Sequence, residues 1–474
     1  MRIILNYILV LLYLTLPLCL GVQPPHIVFT LADDLGWNDL GFHNPAVLTP
    51  ILDKFANEGV IFNNSYVQPM CTPSRSAFLT GYYPFHTGLQ HKVIDYWQAN
   101  YLQANYTILP QYLKKRGYVT HMVGKWHLGF CNWKYVPTRR GFDTFYGYYQ
   151  GCEGHFNRTV ENGYDFRDND TVVYANGEYS TKLFADRAIQ IIENHDPSTP
   201  LFLYLPFQNV HFPVEVPKQY EDMYSNIHDT KRRVYSGMAS AMDEAFGNIT
   251  SALERKGLTN NLLLGFSSDN GGALGFGANN LPLRGGKTTI WEGGTRGISF
   301  AHSKTLIKKK GYTHNGLMHA VDWFSTFLEA AGIPQPAGID GVSQWKMWTD
   351  GAPSERLEVV HNIDNIANNS AIRDKQYKLI LGDPGPGPWE PLPKLDDTDD
   401  DIEISDPLPD TLLYDLIEDP GEHNNLADDL PDVVNRLKAR LDYYKSTAIP
   451  ARYPPNTPAG DPANFGGVWG PGWC

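Results

Sequence analysis

Four short runs of apolar residues each end in a cluster of polar or ionisable ones. His26-Ile27-Val28-Phe29-Thr30-Leu31 leads into Asp33-Asp34, and the run over 118–123 leads into Gly124-Lys125-Trp126-His127. The run over 201–205 leads into Gln208-Asn209-Val210-His211, and Leu262-Leu263-Leu264-Gly265-Phe266 leads into Asp269-Asn270-Gly271-Gly272. Continuous apolar runs of this length predict strands buried on both faces, hence a parallel sheet. Helical patterns fall between them, over 50–58, 108–116, 180–194 and 235–256. Strand–helix alternation implies an α/β sheet covered on both sides. Such sheets bind ligands beyond the carboxyl ends of their strands, so all four polar clusters are expected along one edge.

A fifth stretch, Cys71-Thr72-Pro73-Ser74-Arg75-Ser76-Ala77-Phe78-Leu79-Thr80-Gly81, predicts a helix that opens on a cysteine. Pro73 suits a first helical turn, where its missing N–H is not needed. Gly81 supplies the stop. Cys71 then sits where free backbone N–H groups favour an anion, with Arg75 one turn on.

The remaining clusters carry chemistry of their own. Alone, Asp33-Asp34 and Asp269-Asn270 read equally as solvated turns. Together they are four oxygen ligands with no thiol cluster, a set that suits a hard cation such as Ca²⁺ or Mg²⁺ rather than zinc. Lys125 and His127 follow a core strand, and His211 follows another; His121 lies inside a strand and reads as structural. Lys287 sits in a Gly-rich loop, Leu283-Arg284-Gly285-Gly286-Lys287, that fits neither a P-loop nor a dinucleotide fingerprint.

Net charge is −13 over 474 residues, which argues against nucleic acid or acidic membranes as default partners. Any anion site must therefore be locally basic. Residues 1–21 read as a secretory signal peptide, with an uncleaved anchor as the runner-up, and no other run is long enough to span a membrane. Six Asn-x-Ser/Thr sequons, at Asn63, Asn105, Asn157, Asn169, Asn248 and Asn368, agree with secretion. Among the cysteines Cys131–Cys152 is the preferred disulfide, with Cys474 left over. The large domain is expected over 22–351. A small α+β domain follows over 352–474, with a hairpin-like strand over 371–381, an exposed loop over 382–410 and a helix over 430–445. The aromatic tail from Ile449 is expected along the surface.

Cys-x-Pro-x-Arg followed by Leu-Thr-Gly resembles the sulfatase signature, in which the cysteine is oxidised during secretion to Cα-formylglycine. The stretch Gly117 to His127 resembles the second signature of that family. Thr138 to Asp143, Met242-Asp243-Glu244-Ala245 and His361-Asn362-Ile363-Asp364 look like the N-acetylgalactosamine-4-sulfatase (arylsulfatase B) subgroup. The stretch Tyr414 to Ala427 resembles a motif common in sulfatase C-terminal domains. The resemblance implies an alkaline-phosphatase-like fold, a large, mostly parallel sheet between helices plus a small C-terminal domain. It implies Ca²⁺ held by Asp33, Asp34, residue 71, Asp269 and Asn270, and a formylglycine-generating enzyme as partner during maturation. Arg75 and Lys125 would hold the formylglycine hydrate, and Asp269 would help activate it. His127 would take the proton that lets sulfate leave. His211 and Lys287 would bind sulfate and protonate the leaving alcohol, with His211 binding the anion best when protonated.

That chemistry has a physical logic. A sulfate ester is an anion and repels a nucleophile. An aldehyde hydrate offers two hydroxyls on one carbon. One attacks sulfur, and proton loss from the other expels sulfate, which splits one hard step into two easier ones. The implied substrate is a sulfated glycan or an aryl sulfate, in a lysosomal or secreted setting. A phosphodiesterase or phosphonate hydrolase of the same superfamily, and a non-catalytic secreted glycan-binding protein, are the competing readings.

Overall fold

The computed structural model describes residues 23–389 and 408–474. The expected signal peptide and residues 390–407 of the expected exposed loop lie outside the described residues. Among the described residues ten strands form one mixed sheet. In chain order these are β1 (His26–Ala32), β2 (Val60–Tyr66), β3 (Val119–Lys125), β4 (Thr144–Tyr148), β5 (Arg167–Asp168), β6 (Thr171–Val172), β7 (Leu201–Pro206), β8 (Leu262–Ser268), β9 (Ser299–His302) and β10 (Tyr312–His319). Across the sheet the order is β10-β2-β9-β8-β1-β7-β3-β4-β5-β6. The central strands β8, β1, β7, β3 and β4 are mutually parallel, while β9 and β5 run against their neighbours. The four apolar runs are the four adjacent strands β8-β1-β7-β3.

The main helices are α1 (Pro50–Glu58), α2 (Cys71–Thr80), α3 (Leu109–Lys115), α4 (Ser180–Asn194), α5 (Thr230–Arg255), α6 (Ala320–Ala330) and α7 (Pro431–Thr447). Strand pleating explains why the runs contain so few polar residues. Along β1, Ile27, Phe29 and Leu31 join one core layer with Phe78 of α2, Leu113 of α3 and Trp323 of α6. Val28 and Ala32 join the other, with Leu52 of α1, Phe184 of α4 and Met238 and Ile249 of α5. Both faces are covered, so neither tolerates an exposed polar position. Helix α5 starts earlier than its apolar pattern suggests, because Asp229 caps it by accepting the Arg232 N–H at 2.7 Å.

A separate antiparallel sheet is built from β11 (Val359–Asp364), β12 (Asn369–Arg373), β13 (Tyr377–Leu381) and β14 (Thr411–Asp415). The expected single strand over 371–381 is a hairpin, turned where Asp374 accepts the N–H groups of Gln376 and Tyr377. One face packs under α7 through Ile372, Leu379, Leu437 and Leu441. The other packs Ala371, Ile380 and Leu412 on Ile290 and Trp291. The small sheet thus braces the loop that carries Lys287.

The preferred disulfide is corrected. Cys131 is bonded to Cys474, and Cys152 is a buried free thiol 3.0 Å from the Tyr96 hydroxyl. The reason lies in the tail, which does not simply follow the surface. Trp469 is fully buried and donates its indole N–H to the Val160 carbonyl, and Gly472 and Trp473 both donate N–H to the Cys131 carbonyl. That carries Cys474 to a partner 343 residues away. Among the described residues no helix is long and apolar enough to cross a membrane.

Candidate active site

The polar clusters converge beyond the carboxyl ends of β1, β3, β7 and β8. Asp33 and Asp34 follow β1, Lys125 ends β3, and Asp269 follows β8. Two adjacent aspartates in a strand would point apart. Here Asp34 takes a left-handed backbone, φ 61°, and its carbonyl accepts the Tyr235 hydroxyl at 2.9 Å, so both carboxylates turn into one space. Cys71 is the first residue of α2, after Met70 in extended conformation, and Gly81 ends that helix at φ 73°.

The centre is dense with charge. Asp33 Oδ1 accepts the Cys71 thiol at 3.4 Å and lies 3.6 Å from Arg75, while Asp33 Oδ2 accepts from Lys125 Nζ at 2.6 Å. Arg75 donates Nε at 3.0 Å and Nη2 at 2.8 Å to Asp269 Oδ2, and Nη1 at 3.1 Å to the Lys125 carbonyl. Lys287 Nζ reaches Asp34 Oδ2 at 2.7 Å and His211 Nε2 at 2.9 Å. Asn270 donates its amide to Asp34 Oδ1 at 2.8 Å, and its Oδ1 is buried with no partner. His127 Nε2 lies 3.1 Å from the Ile94 carbonyl, and its Nδ1 is buried without a partner. The structure therefore brings Asp33, Asp34, Cys71, Arg75, Lys125, Asp269 and Asn270 together, with His211 and Lys287 joined through Asp34 and His127 joined through its backbone carbonyl, which accepts the Thr72 hydroxyl.

Burial and charge set the protonation states. Burial pushes the Cys71 thiol well up, and the Asp269 carboxylate pushes it further. Burial opposes ionisation of Asp34, but Lys287, His211 and Lys125 outweigh it and hold that carboxyl below the usual range. Burial likewise works against the Lys287 charge, and Asp34 overrides it upward. His127 is pushed well down by burial, then by Lys125 and Arg75. His211 is pushed down to about 3, by burial first and then by Lys287. Burial and the Lys287 ammonium thus oppose a charge on His211, while Asp34 favours one.

Several supporting residues carry no sequence signal of their own. Ile94 meets His127 through a backbone carbonyl, which any residue would supply. Gly151 lies against the same ring, where a Cβ would come within 2.6 Å of His127 Cε1. Asn280 accepts the Gly272 N–H at 3.0 Å and donates to the carbonyls of Gly272 and Gly285, which ties the two glycine loops together. Other motif residues are structural. Arg140 is buried and donates to the carbonyls of Leu102 and Tyr106, and His361 meets Thr295 Oγ1 at 2.9 Å.

The family model described as Sulfatase matches residues 25–333. The chain belongs to the sulfatase family. It is 42% identical over 485 residues to arylsulfatase J of Mus musculus, covering 95% of this chain and 81% of that one. It is 30% identical over 470 residues to N-acetylgalactosamine-6-sulfatase of Mus musculus, covering 91% and 88%. Among solved structures, that of Ps i-CgsB in complex with k-i-k-neocarrahexaose aligns with a TM-score of 0.80 at 25% identity, over 91% of this chain and 95% of that one. The large mixed sheet with its separate antiparallel sheet is the alkaline-phosphatase-like fold of these sulfatases. Sulfate ester hydrolysis is the reaction class of the family, and formylglycine and a metal ion are its general equipment.

Proposed function

We propose that this sulfatase hydrolyses sulfate esters at residue 71 after its conversion to formylglycine, on sulfated N-acetylgalactosamine of glycosaminoglycans, with aryl sulfates as simpler substrates. The observation that carries the reading is the setting of Cys71. It opens a helix, touches Asp33, and is ringed by Arg75, Lys125 and Lys287 within a protein of net charge −13. Asp33, Asp34 and Asp269 balance those three cations, so a bound divalent cation would tip the centre towards an anion, and a buried neutral thiol is a poor nucleophile within it. The formylglycine hydrate supplies the hydroxyl that attacks sulfur and the second hydroxyl whose deprotonation releases sulfate.

The chain's own residues then divide the work. Arg75 and Lys125 hold the groups on residue 71 and the sulfate oxygens. Asp269 orients Arg75 and accepts a proton from the attacking hydroxyl. His127, neutral in its buried pocket, takes the proton that frees the sulfate. Lys287, next to His211, neutralises the sulfate and protonates the departing alcohol, a role for a positioned acid.

The residues also fit a hard cation. Asp33, Asp34, Cys71 and His211 offer donor atoms within 4.8 Å of one another, and the unpartnered Asn270 Oδ1 adds a neutral oxygen. We assign Ca²⁺ to Asp33, Asp34, residue 71, Asp269 and Asn270, where it would supply positive charge to the sulfate oxygens. Position 4 of the amino sugar is proposed on the subgroup resemblance alone, in a protein maturing along the secretory route to the lysosome or outside. The experiment compares nitrophenyl sulfate with nitrophenyl phosphate, and 4-sulfated with 6-sulfated N-acetylgalactosamine fragments. Preferred release from the 4-sulfate supports the full reading. Preferred release from the 6-sulfate rejects the position, and preference for phosphate rejects the sulfatase assignment for this chain.

A further inference from the structure

Beside the site lies a cavity of about 410 Å³, within the ~300–1,000 Å³ typical of small-molecule pockets. Met70, which precedes Cys71, and Thr288, which follows Lys287, both line it. The rest of the lining comes from distant parts of the chain, including His91 and Lys92, Asn362 and Asp364, and Tyr453. The segment is tied directly to the reaction centre, since the Ile94 carbonyl accepts from His127 Nε2 and the Ile94 N–H donates to Thr72 Oγ1.

The pocket's polar groups are unevenly satisfied. Asp364 accepts from His91 Nδ1 at 2.7 Å and from the N–H groups of Ile366 and Ala367. Asp95, also in the wall, accepts from Asn456 and from the Tyr96 N–H. Both carboxylates are thus hydrogen-bonded inside the protein. Lys92 is exposed and forms no ion pair among the described residues. It is also held at φ 50°, a left-handed backbone that a lysine adopts only at a cost. Asn362 is 5% exposed and its Oδ1 has no partner. Tyr453 packs edge-on to His91, ring centroids 4.7 Å apart, and is only partly buried.

We propose that this cavity is a second-sugar subsite that takes a carboxylate-bearing sugar next to the sulfated residue, with Lys92 pairing its carboxylate, Tyr453 offering a flat apolar face and Asn362 accepting a hydroxyl. The proposal rests on the sulfatase reading above and deepens it, because it assigns residues of this chain to the sugar next to the sulfated one. A cation at the cavity wall with no ion-pair partner among the described residues has most to gain from an anion brought by the substrate.

The test uses Lys92→Gln and Lys92→Arg in the full chain. The substrates are nitrophenyl sulfate, a sulfated disaccharide containing a uronate, and the same disaccharide with its carboxyl reduced to an alcohol. Lys92→Gln is expected to raise KM for the uronate disaccharide about tenfold, the worth of one modest charge-assisted contact. It should leave the carboxyl-reduced disaccharide and nitrophenyl sulfate unchanged, and Lys92→Arg should recover most of the loss. Equal effects on both disaccharides, or none on either, overturn the subsite. Absence of nitrophenyl sulfate turnover by the wild type would instead sink the sulfatase reading beneath it.

Discussion

Arg75 places two N–H donors on a single oxygen of Asp269, at 3.0 and 2.8 Å, and neither side chain reaches solvent. The guanidinium is held charged because Asp269 and Asp33 outweigh the cost of its burial. Its third nitrogen binds the Lys125 carbonyl, so one side chain joins the ends of β3 and β8. A lysine cannot reproduce that fork. Arg75→Lys is expected to lower kcat about 100-fold, and Arg75→Ala to destabilise the fold by about 3–5 kcal/mol by removing the buried ion-pair partner of Asp269. Steady-state kinetics and urea unfolding check both, and near-normal kcat in the lysine variant would reject the role.

Three carboxylates and an unpartnered amide oxygen predict metal-linked stability. Chelation should abolish sulfate release and lower the melting temperature, and Ca²⁺ should restore both. At a hundredfold excess over Kd the stabilisation is about 3 kcal/mol. Asn270→Ala should weaken the Ca²⁺ dependence of the melting temperature. A melting temperature indifferent to chelator and to added Ca²⁺ would remove the metal from the account.

The Cys131–Cys474 bond closes a long loop, joining residues 343 apart in the sequence. Cys474→Ser is expected to cost about 2–5 kcal/mol, whereas Cys152→Ala should cost less, since it removes only a thiol and its contact with Tyr96. A non-reducing peptide map checks the pairing directly and should join the peptides containing Cys131 and Cys474.

Asp243 supplies a pH signature. It projects from α5 and caps α1, accepting the N–H groups of Ile51 and Leu52 at 3.0 and 2.6 Å. Burial nevertheless raises its carboxyl to about 6, against the pull of those N–H groups. A folded value above the unfolded one, about 3.9, means the contribution is fully present below pH 4 and is lost as pH rises through 6. Asp243→Asn keeps an acceptor and removes the titration. Wild type should lose about 1–3 kcal/mol relative to the variant between pH 4 and 7. Parallel stability curves would contradict this.

Much of the fold is legible in the sequence because its central strands are buried on both faces and cannot carry polar residues. Strand β2, Val-Ile-Phe-Asn-Asn-Ser-Tyr, escapes that signal: it lies one strand from the sheet edge, where Asn63 and Asn64 bond to Asn315 and Arg296. The polar clusters were legible as a group because each follows such a strand. What sequence could not show is how they meet. The left-handed turn at Asp34, the contact of the Ile94 carbonyl with His127 and the contact of Lys287 with both Asp34 and His211 all depend on distant neighbours. The Cys131–Cys474 pairing depends on a tail whose path is fixed by one buried tryptophan.

The most direct test of the central claim is the mass of the peptide containing residue 71, measured on protein purified from a secretory host and shown to release sulfate. The account predicts formylglycine at that position, in proportion to specific activity, and no turnover from Cys71→Ala that keeps the wild-type circular dichroism spectrum. Fully active protein carrying only unmodified cysteine at residue 71 would contradict it.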